Sequence, residues 1–327
     1  MKIIVDAFGG DNAPLEILKG ALEAKNEFNI DIIFTGSEEI IKKVSKENNL
    51  DISGVEIVNA EQVITMEEEP NVVLKAKSES SMAVGMKLLA DGKGDAFVSA
   101  GNSGAICVGA TLIVKRIKGI KRPGFAPVMP YFGGGCFMLC DGGANIECRP
   151  DMLEHYAKMG TAYMQDVMGV ENPRVGLANV GTEEHKGTEL YQTTYQLLKE
   201  SGLNFVGNVE GRDIPNGACE VVVCDGFTGN LILKTYEGVA KGLMGAVKDL
   251  FTKNLKSKLA AGLIYSDIQN MRKAYDYNEY GGAPIMGCLK PVFKAHGSSK
   301  ANTIKNAIRL TKDYVDSNVI DKITKAL

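Results

Sequence analysis

The chain lacks the features that would tie it to a secreted, metal-held or membrane-spanning class. Its seven cysteines, Cys107, Cys136, Cys140, Cys148, Cys219, Cys224 and Cys288, are odd in number, lie in apolar runs and include no CxxC pair. That pattern argues against a disulfide framework and against a zinc knuckle. Only three histidines occur, His155, His185 and His296, so a structural metal site is not expected. The cysteines read as buried free thiols in a reducing cytosol. No sign of charge dominates: 37 Lys and Arg face 40 Asp and Glu, a formal charge of −3. Nothing global therefore points to nucleic acid. No apolar run approaches the length of a bilayer span. The segment Met1–Asp6 starts directly as a strand, without the basic and apolar regions of a signal peptide.

Several catalytic machines are missing as well. There is no GxxxxGK followed by Ser or Thr, so a P-loop is not supported. Gly9-Gly10 lacks the GxGxxG spacing of a dinucleotide site. No GxSxG elbow is present and no cysteine has an evident histidine partner, so a covalent acyl-enzyme is not indicated. Direct transfer between two bound substrates remains, with loops that position groups and neutralise charge.

What is present is an alternation of short apolar runs and longer stretches of helical period, the pattern of βαβ units and a largely parallel sheet. Hydrophobic content of 45% and charged content of 24% are ordinary for a globular α/β chain. Strands are expected at Lys2–Asp6, Asp31–Thr35, Val55–Val58, Ala96–Ser99, Arg174–Asn179, Phe205–Gly207 and Val221–Cys224. A further pair, Phe125–Pro130 and Cys136–Asp141, is joined across Gly133-Gly-Gly135. Helices are expected over Glu38–Glu47, Val72–Ala90, Ser103–Lys115, Met152–Met168, Glu189–Glu200 and Lys300–Val315, with another from Leu231 onward and Pro14 in the first turn of one. Gly281-Gly-Ala-Pro284 reads as a loop. With no linker or repeat, residues 1–327 read as one α/β domain, in one or two lobes.

Four loops follow predicted strands, where open α/β sheets place ligands. They are Asp6-Ala-Phe-Gly-Gly-Asp11, Ser99-Ala-Gly-Asn-Ser-Gly104, Asn179-Val-Gly-Thr-Glu-Glu-His-Lys-Gly187 and Asp225-Gly-Phe-Thr-Gly-Asn230. Two of them carry an Asn and open a helix, whose first N–H groups suit an anion. Lys186 reads as a point charge for phosphate, or as a solvated lysine beside Glu183 and Glu184. His185 reads as a base or as an exposed neutral imidazole. Asn230 and Asn102 each read as an uncharged oxyanion donor or as a helix cap.

Taken in order, these loops, with Asn208-Val-Glu-Gly-Arg-Asp213, Tyr280-Gly-Gly-Ala-Pro284 and Lys294-Ala-His-Gly-Ser-Ser299, resemble the bacterial phosphate acyltransferase (PlsX) family of phospholipid synthesis. The motifs run from residue 6 to residue 299, essentially the whole chain. The resemblance implies transfer of a long-chain fatty acyl group from acyl carrier protein to inorganic phosphate. The acyl phosphate product would feed a membrane glycerol-3-phosphate acyltransferase. It also implies a homodimer, no metal or organic cofactor, and a three-layer α/β/α fold with a mostly parallel sheet, similar to isocitrate and isopropylmalate dehydrogenases. Lys186 and Asn230 match the catalytic positions. The substrate-binding set becomes Asp6, Gly9, Gly10, Asp11, Ser99, Gly101, Asn102, Ser103, Gly104, Asn145, Thr182, Gly226, Thr228, Gly229 and His296. In this picture the Ser99–Gly104 and Gly226–Gly229 loops cradle phosphate, Lys186 neutralises it and Asn230 stabilises the oxyanion. Phe8, Ser103, Gly142 and the run Ile146-Glu-Cys-Arg149 depart from the usual pattern, and Gly142 loosens the strand end next to Asn145.

Val239, Leu243, Val247, Phe251, Leu255, Leu259 and Leu263 recur every four residues among lysines. Residues 239–251 read as a core or dimer stripe. Leu255, Leu259, Leu263 and Ile264, with their basic flank, read as a contact with a membrane surface. The expected location is cytoplasmic, peripheral on the inner face of the plasma membrane. Docking of acidic carrier protein competes for the same lysines. Two other functions fit the loops: a phosphate acetyl- or butyryltransferase using coenzyme A, and a non-catalytic phosphate- or lipid-binding module.

Overall fold

A computed structural model describes residues 1–274 and 281–326. Tyr280, the first residue of one motif, lies outside them. Elements alternate as Lys2–Asp6 (β1), Leu15–Phe28 (α1), Asp31–Gly36 (β2), Glu38–Glu47 (α2), Glu56–Asn59 (β3), Ser81–Ala90 (α3), Ala96–Ser99 (β4) and Ser103–Gly109 (α4). Gly124–Phe125 (β5), Val128–Pro130 (β6), Cys136–Cys140 (β7), Pro150–Asp166 (α5), Val175–Asn179 (β8), Glu189–Glu200 (α6), Phe205–Glu210 (β9) and Val221–Val223 (β10) follow. The chain continues through Gly226–Thr252 (α7), Leu255–Leu263 (α8), Tyr265–Ala274 (α9), Gly282–Met286 (β11), Val292–Ala295 (β12), Ala301–Asp316 (α10) and Val319–Ala326 (α11).

The strands form two sheets. One has seven strands in the order β3-β2-β1-β4-β12-β11-β5; the other has five, β6-β7-β10-β8-β9. In the first, β1 to β4 and β12 run parallel and β11 runs against β12. In the second, only β6 is antiparallel. The apolar runs Ile3-Ile-Val5 and Val221-Val-Val223 are buried throughout, as are Phe137-Met-Leu139. Strands buried on both faces need helices on both faces, and the result is a three-layer α/β arrangement. Each such side chain contributes about 1.5–3 kcal/mol on burial.

Parallel order gathers the strand ends. The carboxyl ends of β1, β4 and β12 lie side by side on one sheet, and those of β7, β10 and β8 on the other. This is the edge on which the loops were expected to meet.

Several boundaries differ from the sequence reading. The expected helix Val72–Ala90 is a 3₁₀ turn at Pro70–Leu74, an irregular stretch, and then α3. Ser80 interrupts it: its side chain accepts the Ala83 N–H at 3.3 Å and starts a new helix. The run Phe125–Pro130 is not one strand but changes sheets at Ala126-Pro127, where proline cannot donate to a ladder. The helix from Ser103 tightens into α4 and then widens into a π turn at Ala110–Val114. Gly281–Pro284 is no loop: Gly282 opens β11, and the Pro284 carbonyl accepts the Ala126 N–H at 3.1 Å. Pro14 precedes α1 as its cap residue. The helix expected from Leu231 begins five residues earlier, at Gly226, which matters for the site.

Candidate functional site

Asp6, at the end of β1, is buried and accepts the Ser99 hydroxyl at 2.7 Å and the Phe8 N–H at 3.2 Å. Ser99 Oγ in turn accepts the Gly101 N–H at 3.0 Å. Burial pushes the Asp6 carboxyl up, against the pull of these donors. Asp6 and Ser99 thus brace the first two loops from beneath. Gly9 and Gly101 pack against each other on top of them. Gly10, at φ +100°, would place a Cβ 2.8 Å from the Gly297 carbonyl, and the Asp11 N–H donates to that same oxygen at 2.8 Å. Only glycine permits that approach. The effect is to hold the loop before α1 against the loop that begins at His296.

Asn102 is the cap of α4. Its side-chain oxygen accepts the Ala105 N–H at 3.0 Å. Its amide nitrogen donates to the carbonyls of Thr65, Met66 and Glu68 at 3.0–3.2 Å. Both ends of the side chain are engaged by backbone, which resolves its ambiguity in favour of the cap. Ser103 and Gly104, the next two residues, border the open cleft instead.

On the other sheet, Asp141 follows β7. Its Oδ1 accepts the N–H groups of Phe125, Gly143 and Ala144 at 2.9–3.0 Å. Oδ2 accepts the Asn145 backbone N–H at 2.7 Å and its side-chain amide at 2.8 Å. The same Asn145 amide lies 2.8 Å from the Pro123 carbonyl and 3.0 Å from Tyr156 Oη. Asn145 is therefore a brace for this turn, with its side chain facing inward. The Gly142 departure places backbone against Pro127 and Phe125 without disturbing these bonds.

The start of α7 is already paired. Asp225 caps it, accepting the Thr228 N–H at 2.9 Å and the Thr228 hydroxyl at 3.0 Å. Tyr191 Oη bonds to Asp225 Oδ2 at 2.5 Å. The Gly226 N–H donates to the Asn145 carbonyl at 2.8 Å. A Cβ on Gly229 would lie 1.9 Å from the Asp141 carbonyl oxygen. The expected phosphate cradle of Gly226–Gly229 is thus a packed joint between α7 and the Asp141 turn. Asn230 differs: it is no cap, it is exposed, and no described residue engages its amide. It faces Gly143 across the cleft wall.

These two walls enclose a cleft of about 260 Å³ bordered by Ser103, Gly104, Gly143, Asn230, Lys294 and His296. A smaller apolar cavity of about 70 Å³ adjoins it, sharing Phe125, Leu233, Lys294 and His296 and adding Val128, Met129 and Ala283. In the His296 ring, Nδ1 accepts the Ser298 N–H at 3.2 Å, which leaves the proton of the neutral ring on Nε2. Burial, with Lys294 adding to it, holds this imidazole below its ordinary pKa.

Lys294 is the residue that sequence reasoning missed. It lies beside Ser99 in register, at the end of β12, and borders both cavities. Burial first, then Lys234, lowers its pKa against the opposing pull of Cys107 and Glu237, to a net value of about 8. A lysine inside the apolar run Pro291-Val-Phe-Lys-Ala295 was the available signal. Cys107 also borders the cleft, but burial pushes its thiol up to about 12, so it is no nucleophile. None of the seven cysteines is in a disulfide.

Lys186 is not among the residues bordering the cleft. It sits with exposed Thr182 and His185 in the loop after β8, one strand beyond β10, packed over Gly181. Its ammonium has no carboxylate within ion-pair distance among the described residues. The exposed hydrophobics expected at a membrane, Leu255 (73%), Leu259 (65%), Leu263 (88%) and Ile264 (40%), are uncovered in this chain. Val239 and Leu243 are exposed too, so the core reading of the stripe fails for them. The 27-residue α7 runs past the body: beyond Leu233 none of its residues is buried.

A family model described as a fatty acid synthesis protein matches residues 1–322. A phosphate acyltransferase of Thermoanaerobacterium thermosaccharolyticum is 47% identical over 100% of this chain and 97% of its own length. The chain belongs to the phosphate acyltransferase family. A second member, from Clostridioides difficile, is 42% identical over 99% of this chain and 96% of its own. As a member of this family the protein is an acyltransferase. Its fold is shared with more distant acyl-transferring proteins. A phosphotransacetylase from Streptococcus pyogenes superposes with a TM-score of 0.64 at 17% identity, over 98% of this chain and 94% of that one. A branched-chain phosphotransacylase from Enterococcus faecalis gives 0.58 at 13% identity, over 96% and 99%. Among the described residues, no helix of this phosphate acyltransferase family member is long and apolar enough to cross a membrane.

Proposed function

We propose that the protein transfers a long-chain fatty acyl group from acyl carrier protein to inorganic phosphate, in the cleft between the two sheets. A phosphate oxygen attacks the thioester carbon, the C–S bond breaks, and the phosphate proton leaves with the sulfur as a free thiol. The observation that carries this reading is the convergence of Asn230, Lys294 and His296 on one cleft with an apolar annex. Asn230 offers an amide donor with no partner among the described residues, suited to the oxyanion of the tetrahedral intermediate. The annex offers an apolar wall to the first carbons of an acyl chain. Lys186, matched to a catalytic position by the motif, stands outside the residues bordering this cleft.

A groove of about 510 Å³ is bordered by Arg116, Lys121, Arg122 and Arg149, two of which pair with Asp151. It suits an acidic carrier protein and equally the phosphates of coenzyme A, so the donor is assigned from the family resemblance. It lies along the same 141–149 segment that walls the cleft, so an acidic domain seated there would present its thioester close by. The exposed α7–α8 stripe supports a homodimer contact over 239–251 and a membrane contact over 255–264. The latter would pass acyl phosphate to a membrane-bound glycerol-3-phosphate acyltransferase from the cytoplasmic side. The deciding experiment supplies phosphate with palmitoyl-acyl carrier protein, palmitoyl-coenzyme A or acetyl-coenzyme A. Acyl phosphate is trapped as its hydroxamate and the free thiol is counted. Preferential turnover of the first supports the reading. Preference for acetyl-coenzyme A replaces it with a phosphotransacetylase, and no product with any donor removes catalysis altogether.

A further inference from the structure

Lys294 holds a cation that feels Glu237 through space but forms no ion pair among the described residues. Its ammonium donates to the Ala295 carbonyl at 3.1 Å and lies 5.9 Å from the centre of the Phe125 ring. No carboxylate stands within ion-pair distance of it among the described residues. Glu237 is the one acid bordering the cleft, and Lys234 on the same helix opposes it. An ammonium has three donors, and one is engaged. Removing a cation from water without a partner is costly, and such groups persist where an anion arrives. Across the same cavity stand the Asn230 amide and the His296 ring, both neutral.

We propose that Lys294, rather than Lys186, is the cation that binds the phosphoryl group: inorganic phosphate as substrate and the phosphate end of the acyl phosphate product. This rests on the cleft as the site of transfer, but phosphate binding can be measured without the acyl donor. Lys294 reaches the cleft from β12, and Asn230 borders the same cleft from α7. The ammonium gives one charge to phosphate and leaves Asn230 for the oxyanion. The two groups thus divide ground-state binding from transition-state stabilisation.

Charge state supplies the discriminating readout. Lys294 loses its proton in the free protein as pH rises through about 8. The groups that face it are Lys234 and Glu237 on α7, Cys107 on α4 and His296 just past its own strand. Cys107 titrates near 12 and His296 below its ordinary value, so neither changes charge just above pH 8. Phosphate affinity should therefore fall about tenfold per pH unit above that point.

The test is titration calorimetry of inorganic phosphate into the full chain, without thioester, for wild type, Lys294→Met and Lys186→Met. Lys294→Met is expected to weaken phosphate binding about tenfold to a hundredfold, the worth of a charge-assisted contact. Lys186→Met should leave it within about twofold on the same scale. The wild-type decline above pH 8 should vanish in Lys294→Met. Thermal melts establish folding; if Met at this position does not fold, Lys294→Gln takes its place. Undiminished binding in the Lys294 variant, loss confined to the Lys186 variant, a pH-independent wild type, or no phosphate binding at all would each overturn the proposal. Lys294-dependent binding without acyl phosphate formation from any donor would uphold this site and remove the transfer reaction instead.

Discussion

Gly229 on α7 and the carbonyl of Asp141 are so close that a single added methyl at Gly229 would lie 1.9 Å from that oxygen. Neither partner is a flexible side-chain tip, so the clash cannot be relieved locally. Gly229→Ala should displace the first turn of α7, carrying Asn230 out of the cleft. The expected cost is about 1–3 kcal/mol of stability, with loss of turnover. A calorimetric melt together with the hydroxamate assay checks this, and a wild-type melting temperature with full activity would contradict it.

Asn102 and Asn230 should respond in opposite ways to the same truncation. Asn102 caps α4 and holds three carbonyls of residues 65–68, so Asn102→Ala should lower stability by about 1–2 kcal/mol or more. Asn230 contacts no described donor or acceptor, so Asn230→Ala should melt as wild type while kcat falls on the order of 10²–10³. Steady-state kinetics beside melts of both variants decide. Equal behaviour of the two would mean that the roles are assigned wrongly.

Lys294 predicts an unusual dependence of stability on pH. Its folded pKa, about 8, lies below the ordinary 10.5 of a lysine. The folded state therefore binds fewer protons than the unfolded chain between these values, and stability rises with pH across that window. The gain is up to about 3 kcal/mol, reduced by whatever water reaches the ammonium. Urea unfolding of wild type and Lys294→Met at pH 7 to 10.5 gives the difference directly. The variant should be the more stable at pH 7 and the two should converge at high pH. Parallel curves would show that the lysine is not desolvated.

Arg122 has no carboxylate within ion-pair distance among the described residues and borders the basic groove. Arg122→Glu should raise KM for an acyl carrier protein thioester about tenfold, leaving kcat and the KM for an acyl-coenzyme A near wild type. The contrast between donors is the measurement. An equal rise for both would place Arg122 in the general phosphate field and not in a protein contact.

Leu259, two-thirds exposed on α8, should insert at a lipid surface if the stripe serves that purpose. Leu259→Glu should abolish sedimentation with anionic vesicles without changing the melting temperature. Retained sedimentation would assign the stripe to protein contacts.

The parallel sheet, the strand ends and the loops that follow them were legible because period and glycine placement are local properties. The functions of individual loop residues were not. Asn102 and Asn230 occupy similar positions in similar sequences, and only the depth at which each helix starts separates cap from free donor. Gly226–Gly229 looks like an anion cradle until Asp225 and Asn145, the latter eighty residues earlier in sequence, are seen to have paired its N–H groups. Lys294 was hidden for the opposite reason. Its strand is short and apolar, and its environment is built from α4, α7 and Phe125, which are distant in sequence.

The Asp141 carboxylate receives donors from both sides of a boundary: Phe125 belongs to the seven-stranded sheet, while Gly143, Ala144 and Asn145 extend the five-stranded one. One side chain therefore ties the two sheets together beside the cleft. The walls cannot part there without stripping a buried carboxylate of its donors. Asn230, packed against Gly143, is thereby held to the same turn that Asp141 organises, while Ser103 and Lys294 stand on elements of the other sheet. The fold thus draws the two halves of the cleft from different sheets and joins them through a single buried carboxyl group.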